Sequence, residues 1–166
     1  MTTTYLQLKA YLQALAENHS GILHTDTEKH FFHSNLDQIL SGLSSRVNFP
    51  AVFMADYDYS FTDNNSDNHQ KRRALALVFI DHSSEADAFD AIAAIYSQME
   101  EIADDWINRI YNDKLERRHA FLKDFELNDI NAVQFSAVDN NFGIWLPIMA
   151  TTLHDISIDT DKWTDL

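Results

Sequence analysis

Apolar residues recur along this chain at two spacings, one typical of helices and one typical of strands. Near the start, Thr4 and Gln7 have the spacing of a capping box. Apolar side chains then follow at every third or fourth position, as they do on one face of a helix. The pattern predicts a first helix over about Thr4–Glu17.

The middle of the chain predicts a short helix and then two strands. Ser34 has the residue type of a helix cap, and Gly42 marks the end of that helix. From Val47 to Phe61, apolar and aromatic residues dominate, which predicts a strand with Pro50 at its start. Ala74–His82 is a second apolar run. The polar stretch between the two runs has almost nothing to bury, so we expect a hairpin with a long loop.

A long amphipathic helix follows this hairpin. Ser84 and Asp87 are placed to begin it, and Asn112–Lys123 is charged and predicts a broken helix or a connector. The apolar stripe in between predicts a helix face packed on a sheet. Its predicted members are Phe89, Ile92, Ala93, Tyr96, Met99, Ala103, Trp106, Ile107 and Ile110.

The last fifty residues predict a closing hairpin. Asn131–Val138 and Ile144–Leu153 read as antiparallel strands around the Asx- and Gly-rich turn Asp139–Gly143. Pro147 cannot donate to a ladder, so we expect the second strand at a sheet edge or at a bulge. Because both of its faces are apolar, this strand needs cover, and we predict an oligomer interface there. The candidate interface residues are Trp145, Pro147, Met149 and Leu153.

Together these elements predict one α+β domain over residues 1–166. We expect a mainly antiparallel sheet of about four strands, with the long helix on one face and shorter helices near the N-terminus. A chain of 166 residues with 45% apolar content can bury its own core. It contains no cysteine, so neither a disulfide framework nor a zinc–thiolate site is expected.

The charge balance limits the classes of partner. The formal net charge is −14, and such a surface repels phosphate backbones, so sequence-specific nucleic-acid binding is not expected. The basic clusters Lys71–Arg73 and Arg117-Arg118 are short and have acidic neighbours. No apolar run approaches the length of a membrane span, and no leader opens the chain, which favours a cytoplasmic protein.

Two groups of residues invite a metal-site interpretation. His24, His30 and His33 lie close together in sequence with acidic neighbours, but their spacing is unspecific, and surface or packing histidines are the alternative. Asp63, Asn65 and Asp67 repeat the opening of an EF-hand loop, whose later positions are missing here. We therefore predict neither a metal nor another cofactor.

Other residues suggest acid–base chemistry or protein contacts. Asp56 and Asp58 are expected to point the same way from one strand, either as a carboxylate pair or as an exposed acidic face. A phosphate-binding glycine loop and the common hydrolase motifs are missing, which disfavours an enzyme. The aromatic residues Tyr57, Tyr59, Phe61, Phe142 and Trp145 are either interface anchors or core.

Several segments resemble small prophage-encoded tail proteins of the tail-terminator or tail-completion type. The resemblance covers about Leu36–Leu153, without the first helix or the histidine segment. Where an aromatic or basic residue is expected after Phe142-Gly143, this chain has Ile144. The matching features are a long acidic helix and the segments Phe49-Pro-Ala-Val-Phe-Met54, Phe61-Thr-Asp-Asn-Asn-Ser-Asp-Asn68 and Asp139-Asn-Asn-Phe-Gly143.

The resemblance implies a phage or prophage structural protein that assembles through subunit contacts. Such proteins close a tail tube as a ring, often a hexamer, together with other tail proteins, and would also occur in the virion. An acidic surface lining the lumen would let DNA pass without adhering. The candidate residues for this surface, or for a face that binds a partner, are Asp56, Asp58, Asp63 and Asp67. The alternatives are a small acidic or immunity-type module for a basic protein and, third, a metal-dependent enzyme.

Overall fold

In a computed structural model, the chain forms a five-stranded mixed sheet with a long helix packed on one face. The structure describes residues 4–33, 47–63, 69–85, 88–137 and 140–154, together with Lys162. The α+β class is confirmed; in the described residues the sheet has five strands where about four were predicted, and one of its strand pairs is parallel. The short helix predicted after Ser34 lies outside the described residues.

The described helices and strands follow the chain in a simple order. They are α1 (Tyr5–Asn18), β1 (Phe31–His33), β2 (Ala51–Thr62), β3 (Gln70–His82), α2 (Phe89–Leu115), β4 (Val133–Ala137) and β5 (Asn141–Leu153). The strand order across the sheet is β1-β2-β3-β5-β4. Only β1 runs parallel to its neighbour, and the other pairs are antiparallel.

The structure confirms the capping box predicted at the start of the first helix. The side chain of Thr4 accepts a hydrogen bond from the backbone N–H of Gln7, and the side chain of Gln7 accepts one from the Thr4 N–H. Two orphan donors of the first turn are therefore satisfied. The apolar face of α1 is buried against the main core.

The long helix is confirmed, but its apolar stripe is rotated from the predicted one. Among the described residues, which do not include Asp87, no side chain caps α2; the helix begins at Phe89, and Phe89 itself is 77% exposed. Ala93 is also exposed, whereas Ile95 and Ile102, which the prediction omitted, are buried. The buried face consists of Ile95, Met99, Ile102, Ala103, Trp106, Ile110 and Asp113.

The predicted hairpin of β2 and β3 is confirmed and contains a β-bulge. Ala55 pairs with Ala76 and Asp58 with Ala74, so Asp56 and Tyr57 together face one residue of β3. Asp56 has a φ of 49°, a left-handed conformation that Asp tolerates better than most residues. The extra residue shifts the alternation, and Tyr57 consequently packs against the main core on the helix side of the sheet.

The prediction that β5 is an edge strand is wrong for its first part. Residues Asn141–Trp145 pair with β4 on one side and with β3 on the other. Beyond Trp145, no described strand pairs with the side of β5 that β4 occupies. Pro147 lies in this part of β5, so its missing N–H removes no ladder bond on that side. Leu146, Ile148 and Ala150 are buried in the main core, so the helix-side face of β5 is covered within the chain.

Gly143 is a packing residue and not the turn residue that was predicted. It lies inside β5, opposite Ile80 of β3. A Cβ atom built at this position would lie 1.8 Å from the carbonyl oxygen of Phe79. The two strands can therefore approach each other here only because residue 143 has no side chain.

Candidate functional site

The outer part of the sheet forms a ribbon of three strands, of which the β2 strand is largely exposed and the β5 strand is mostly buried. We define the outer ribbon as residues 56–62 of β2, 70–74 of β3 and 149–153 of β5, all on the far side of the bulge. On its helix side, Tyr57, Tyr59 and Phe61 form a row of rings with centroids 6.5 and 5.8 Å apart. Tyr59 is 51% exposed and Phe61 57% exposed, and neighbouring exposed aromatic side chains are uncommon on a soluble surface without a binding role.

A lysine stabilises this aromatic row. The ammonium nitrogen of Lys71 lies 3.8 Å from the centre of the Tyr59 ring and 5.4 Å from that of Phe61. Such cation–π contacts are favourable and hold the lysine against the rings. Burial, and then the neighbouring charge of Arg73, lower the pKa of Lys71 below its ordinary value. The row therefore presents rings and a cation on one surface.

The predicted acidic residues lie along the same hairpin but do not form one carboxylate pair. Asp56 and Asp58 are exposed, and the bulge between Ala55 and Asp58 breaks the alternation that was expected to align them. A carboxylate oxygen of Asp63 lies 3.5 Å from the ring nitrogen Nδ1 of His69. Asp67 lies outside the described residues.

The four predicted interface residues share the face of β5 that is turned away from α2. Trp145 packs against a second, smaller apolar cluster on that face, formed by Ala51, Phe53, Ala55, Val78 and Ile80. Trp145, Pro147 and Met149 are half-buried, and Leu153 is 61% exposed. This strand face therefore offers less free apolar surface than its sequence suggested.

The three histidines make separate contacts and do not converge. His24 Nδ1 accepts hydrogen bonds from the backbone N–H groups of His30 and Phe31, at 3.0 and 3.1 Å. His30 Nδ1 donates to the carbonyl oxygen of Pro50, and His33 Nδ1 lies 3.4 Å from the Tyr5 hydroxyl. Among the described residues, no group of three or more His, Asp or Glu side chains is arranged to hold a metal ion.

The contacts of His24 predict a dependence of stability on pH. Burial lowers the pKa of His24, the positive neighbours His30 and Lys29 lower it further, and Glu17 and Asp26 act in the opposite direction. The folded state therefore binds fewer protons than the unfolded state below the ordinary histidine pKa of about 6.5, and stability falls as the pH drops through this range. A protonated ring would also direct an N–H at two backbone N–H groups.

We expect His24→Asn to remove this part of the pH dependence while keeping an acceptor near the same place. One histidine can lower the free energy of unfolding by at most about 1.4 kcal/mol for each pH unit below 6.5. Urea unfolding at pH 7.5 and 5.5 measures it. The exposed His82 provides the control His82→Asn, which should leave the difference unchanged. Equal pH dependence in wild type and His24→Asn would contradict the assignment.

A cluster that the sequence analysis missed lies between α1 and the C-terminal part of α2. The carboxylate of Asp113 is buried and accepts hydrogen bonds from the hydroxyl of Tyr11 at 3.0 Å and from Arg109 Nε at 3.1 Å. Arg118 Nη1 lies 3.3 Å from the same carboxylate. The signal for this cluster was present, since Asp113 continues the buried stripe of α2 and Arg109 precedes it by four residues.

The environment of Tyr11 fixes its role in this cluster. Burial, followed by the negative charge of Asp113 and the hydrogen bond to it, raises the pKa of Tyr11 far above its ordinary value. The hydroxyl therefore stays protonated and acts as a donor. The Tyr11 ring also meets the rings of His119 and Phe121 edge-on, at 4.6 and 5.4 Å between centroids.

Comparison with protein-family models, curated proteins and solved structures finds no match for this chain. In the part of the chain that the structure describes, no helix is long and apolar enough to cross a membrane. The case for a function therefore depends on the surfaces and contacts of the molecule itself.

Proposed function

We propose that this chain is a non-enzymatic structural or assembly protein of a phage or phage-derived particle, and that it acts through contacts between its own copies. The observation that carries the proposal is the exposed aromatic row on the outer ribbon. Partly exposed aromatic residues that lie together are typical anchors of protein–protein contacts. The resemblance of the sequence to tail proteins supports the proposal, because such proteins assemble through contacts between subunits.

A second copy is favoured as the partner because the chain carries complementary charges at two places. Between Ala74 and Asn108 there is no lysine or arginine, and the acidic residues of that stretch are Asp81, Glu85, Asp87, Asp90, Glu100, Glu101, Asp104 and Asp105. In contrast, Lys71 lies beside the aromatic row on the outer ribbon, and Arg72 follows it on the opposite face of the same ribbon. Complementary charge of this kind steers association and fixes the register of a contact.

A cleft beside α2 is a suitable receptor for the ribbon. It has a volume of about 200 Å³ and lies between α2 and the start of β4, with Ile144 at its base. Glu100 and Asp104 line it together with the half-buried Tyr96 and Ile107. Carboxylates beside apolar side chains match a surface that carries a lysine beside aromatic rings.

The positions of the two surfaces favour a ring over a two-fold dimer. The cleft lies near Ile144 and the ribbon near Thr152, eight residues apart along β5, which corresponds to roughly 27 Å of extended strand. A contact between two different surfaces of the same chain is head-to-tail, and it closes as a ring when the rotation permits. In such a ring the exposed Asp56, Asp58 and Asp63 are candidates to border the lumen, where like charge would keep DNA from adhering.

Removing the aromatic row tests the proposal. We expect the double variant Tyr59→Ser and Phe61→Ser to lower the molar mass of assemblies, because it removes the apolar anchors without touching the core. Light scattering after size-exclusion chromatography measures the mass. Leu6→Ser on α1 removes another exposed apolar side chain and is the matched control. Unchanged assembly in the double variant would contradict the proposal.

A charge exchange tests the receptor cleft directly. The variant Lys71→Glu with Arg72→Glu and the variant Glu100→Lys with Asp104→Lys should each weaken assembly. When the two variants are mixed, half of the possible contacts between a ribbon and a cleft again join opposite charges. When all four substitutions are combined in one chain, every such contact joins opposite charges. Failure of the four-fold variant to regain any assembly would exclude this pairing of surfaces.

A small acidic module for a basic protein partner is the second candidate, and the long acidic stretch of α2 favours it. This function predicts that the isolated protein is a monomer. It also predicts rapid association with a basic protein, at a rate that depends strongly on salt concentration. In that case the aromatic row would have no effect on the mass of the isolated protein.

A further inference from the structure

We infer that the cleft between α1 and α2 binds a small organic anion, namely a carboxylate attached to a flat aromatic body. This cleft has a volume of about 590 Å³. That is within the range of cavities that hold small-molecule ligands in proteins and far larger than a lone inorganic anion needs. The inference is independent of the proposed assembly function, because neither the outer ribbon nor the cleft at β4 contributes to this cavity.

The polar wall of the cleft carries two arginines and one buried carboxylate. Its charged lining residues are Arg109, Arg118 and Asp113, two cations and one anion, in a chain whose formal net charge is −14. The single anion is buried and already accepts bonds from Tyr11 and Arg109 and an ion pair from Arg118. The charge of Asp113 is therefore already compensated, and repulsion of an incoming anion by this carboxylate is reduced.

Arg109 is the residue that can bind such an anion. It contacts Asp113 through Nε, and neither of its Nη nitrogens makes a hydrogen bond or an ion pair with a described residue. Arg118, in contrast, also binds Glu116 through Nε and Nη2. The half-exposed guanidinium of Arg109 thus keeps two donors at the cleft, and a fork of two N–H groups matches a carboxylate.

The remaining walls suit an aromatic body. The rings of His119 and Phe121 are stacked, with centroids 5.1 Å apart and planes inclined by 25°. Ala10, Ala14 and Leu15 of α1 line the same cleft and supply apolar side chains. No described residue forms a hydrogen bond with either ring nitrogen of His119, so a ligand can contact these two atoms. A flat ring can lie between these surfaces while its carboxylate reaches Arg109.

Titration with 2-naphthoate tests the inference. The neutral 2-naphthalenemethanol is the matched probe without the charge, and inorganic phosphate is the probe without the ring. We expect calorimetry and saturation-transfer NMR to show binding of naphthoate, with the alcohol at least about tenfold weaker because the Arg109 contact is lost. Equal affinity for naphthoate and the alcohol, no naphthoate binding, or equal affinity for phosphate would overturn the inference.

Two variants and a control locate the site. Arg109→Gln should weaken naphthoate binding at least about tenfold. Ala14→Phe should abolish it by filling the cleft, and it leaves the Asp113 cluster intact. Arg117→Gln removes the same charge from an exposed residue outside the cleft and should change nothing. Should Arg109→Gln fail to fold by circular dichroism, Ala14→Phe decides, and naphthoate binding that survives Ala14→Phe would refute the inference.

Discussion

Gly143→Ala is expected to lower the free energy of unfolding by about 3 kcal/mol or more, or to prevent folding altogether. The added Cβ would lie 1.8 Å from the Phe79 carbonyl oxygen and 2.8 Å from the Ile80 Cα. Both are backbone atoms, so no rotation of a side chain can relieve the overlap. The central pair of β3 and β5 would have to separate, and this pair carries the longest ladder of the sheet.

The second glycine with a defined environment gives the control. A Cβ at Gly21 would meet only side-chain atoms, 3.2 Å from His19 Cε1 and 3.5 Å from Ile102 Cδ1, and these can shift. Gly21→Ala should therefore cost less than about 1 kcal/mol. Chemical unfolding of both variants measures the difference. Gly143→Ala with wild-type stability would show that the register of β3 and β5 is different from the one described.

Asp113→Ala is expected to cost about 2–3 kcal/mol of folding free energy. The substitution leaves the buried Tyr11 hydroxyl without its acceptor and leaves two guanidinium groups without their shared anion. The cost stays below that of a fully buried ion pair because Arg109 and Arg118 are about half exposed and water can replace the lost contact.

A double-mutant cycle with Tyr11→Phe isolates the buried hydrogen bond. We expect a coupling energy of about 1 kcal/mol or more between the two positions. Asp113→Asn keeps an oxygen that can accept from Tyr11, and its loss of stability should be smaller than that of Asp113→Ala. Additive effects of Asp113→Ala and Tyr11→Phe would mean that the hydroxyl contributes nothing through this carboxylate.

The parts of the fold that local rules determine were predictable from the sequence. The capping box of Thr4 and Gln7 placed the start of α1 to within one residue, because the cap depends on neighbouring residues alone. The two hairpins were also predicted, since each joins strands that are close in sequence. In contrast, β1 has three residues and depends on parallel pairing with β2, which no periodicity in so short a segment reveals.

Errors in the prediction arose where one residue changes the alternation or the neighbours of a strand. The bulge at Asp56 and Tyr57 moves every later side chain of β2 to the other face, so the expected alignment of Asp56 with Asp58 is interrupted. Pro147 correctly suggested a missing ladder partner, but it could not show that β4 pairs with the earlier part of the same strand.

The candidate sites also depend on tertiary packing that the sequence pattern does not reveal. The aromatic residues of β2 were noted from the sequence, but their exposure depends on how far the sheet extends past the helices. The cluster around Asp113 joins residues 102 positions apart, Tyr11 and Asp113, through tertiary packing alone. The local signs of such a partner are an aspartate within an otherwise apolar helix stripe and an arginine four residues before it.

The mass of the native protein as a function of concentration is the most direct test of the central claim, that this chain acts through contacts between its own copies. Light scattering coupled to size-exclusion chromatography measures it, with negative-stain imaging of any large peak. The proposed head-to-tail contact predicts a discrete higher mass and closed rings, which the Tyr59→Ser, Phe61→Ser variant loses. A monomer at every concentration would contradict the claim.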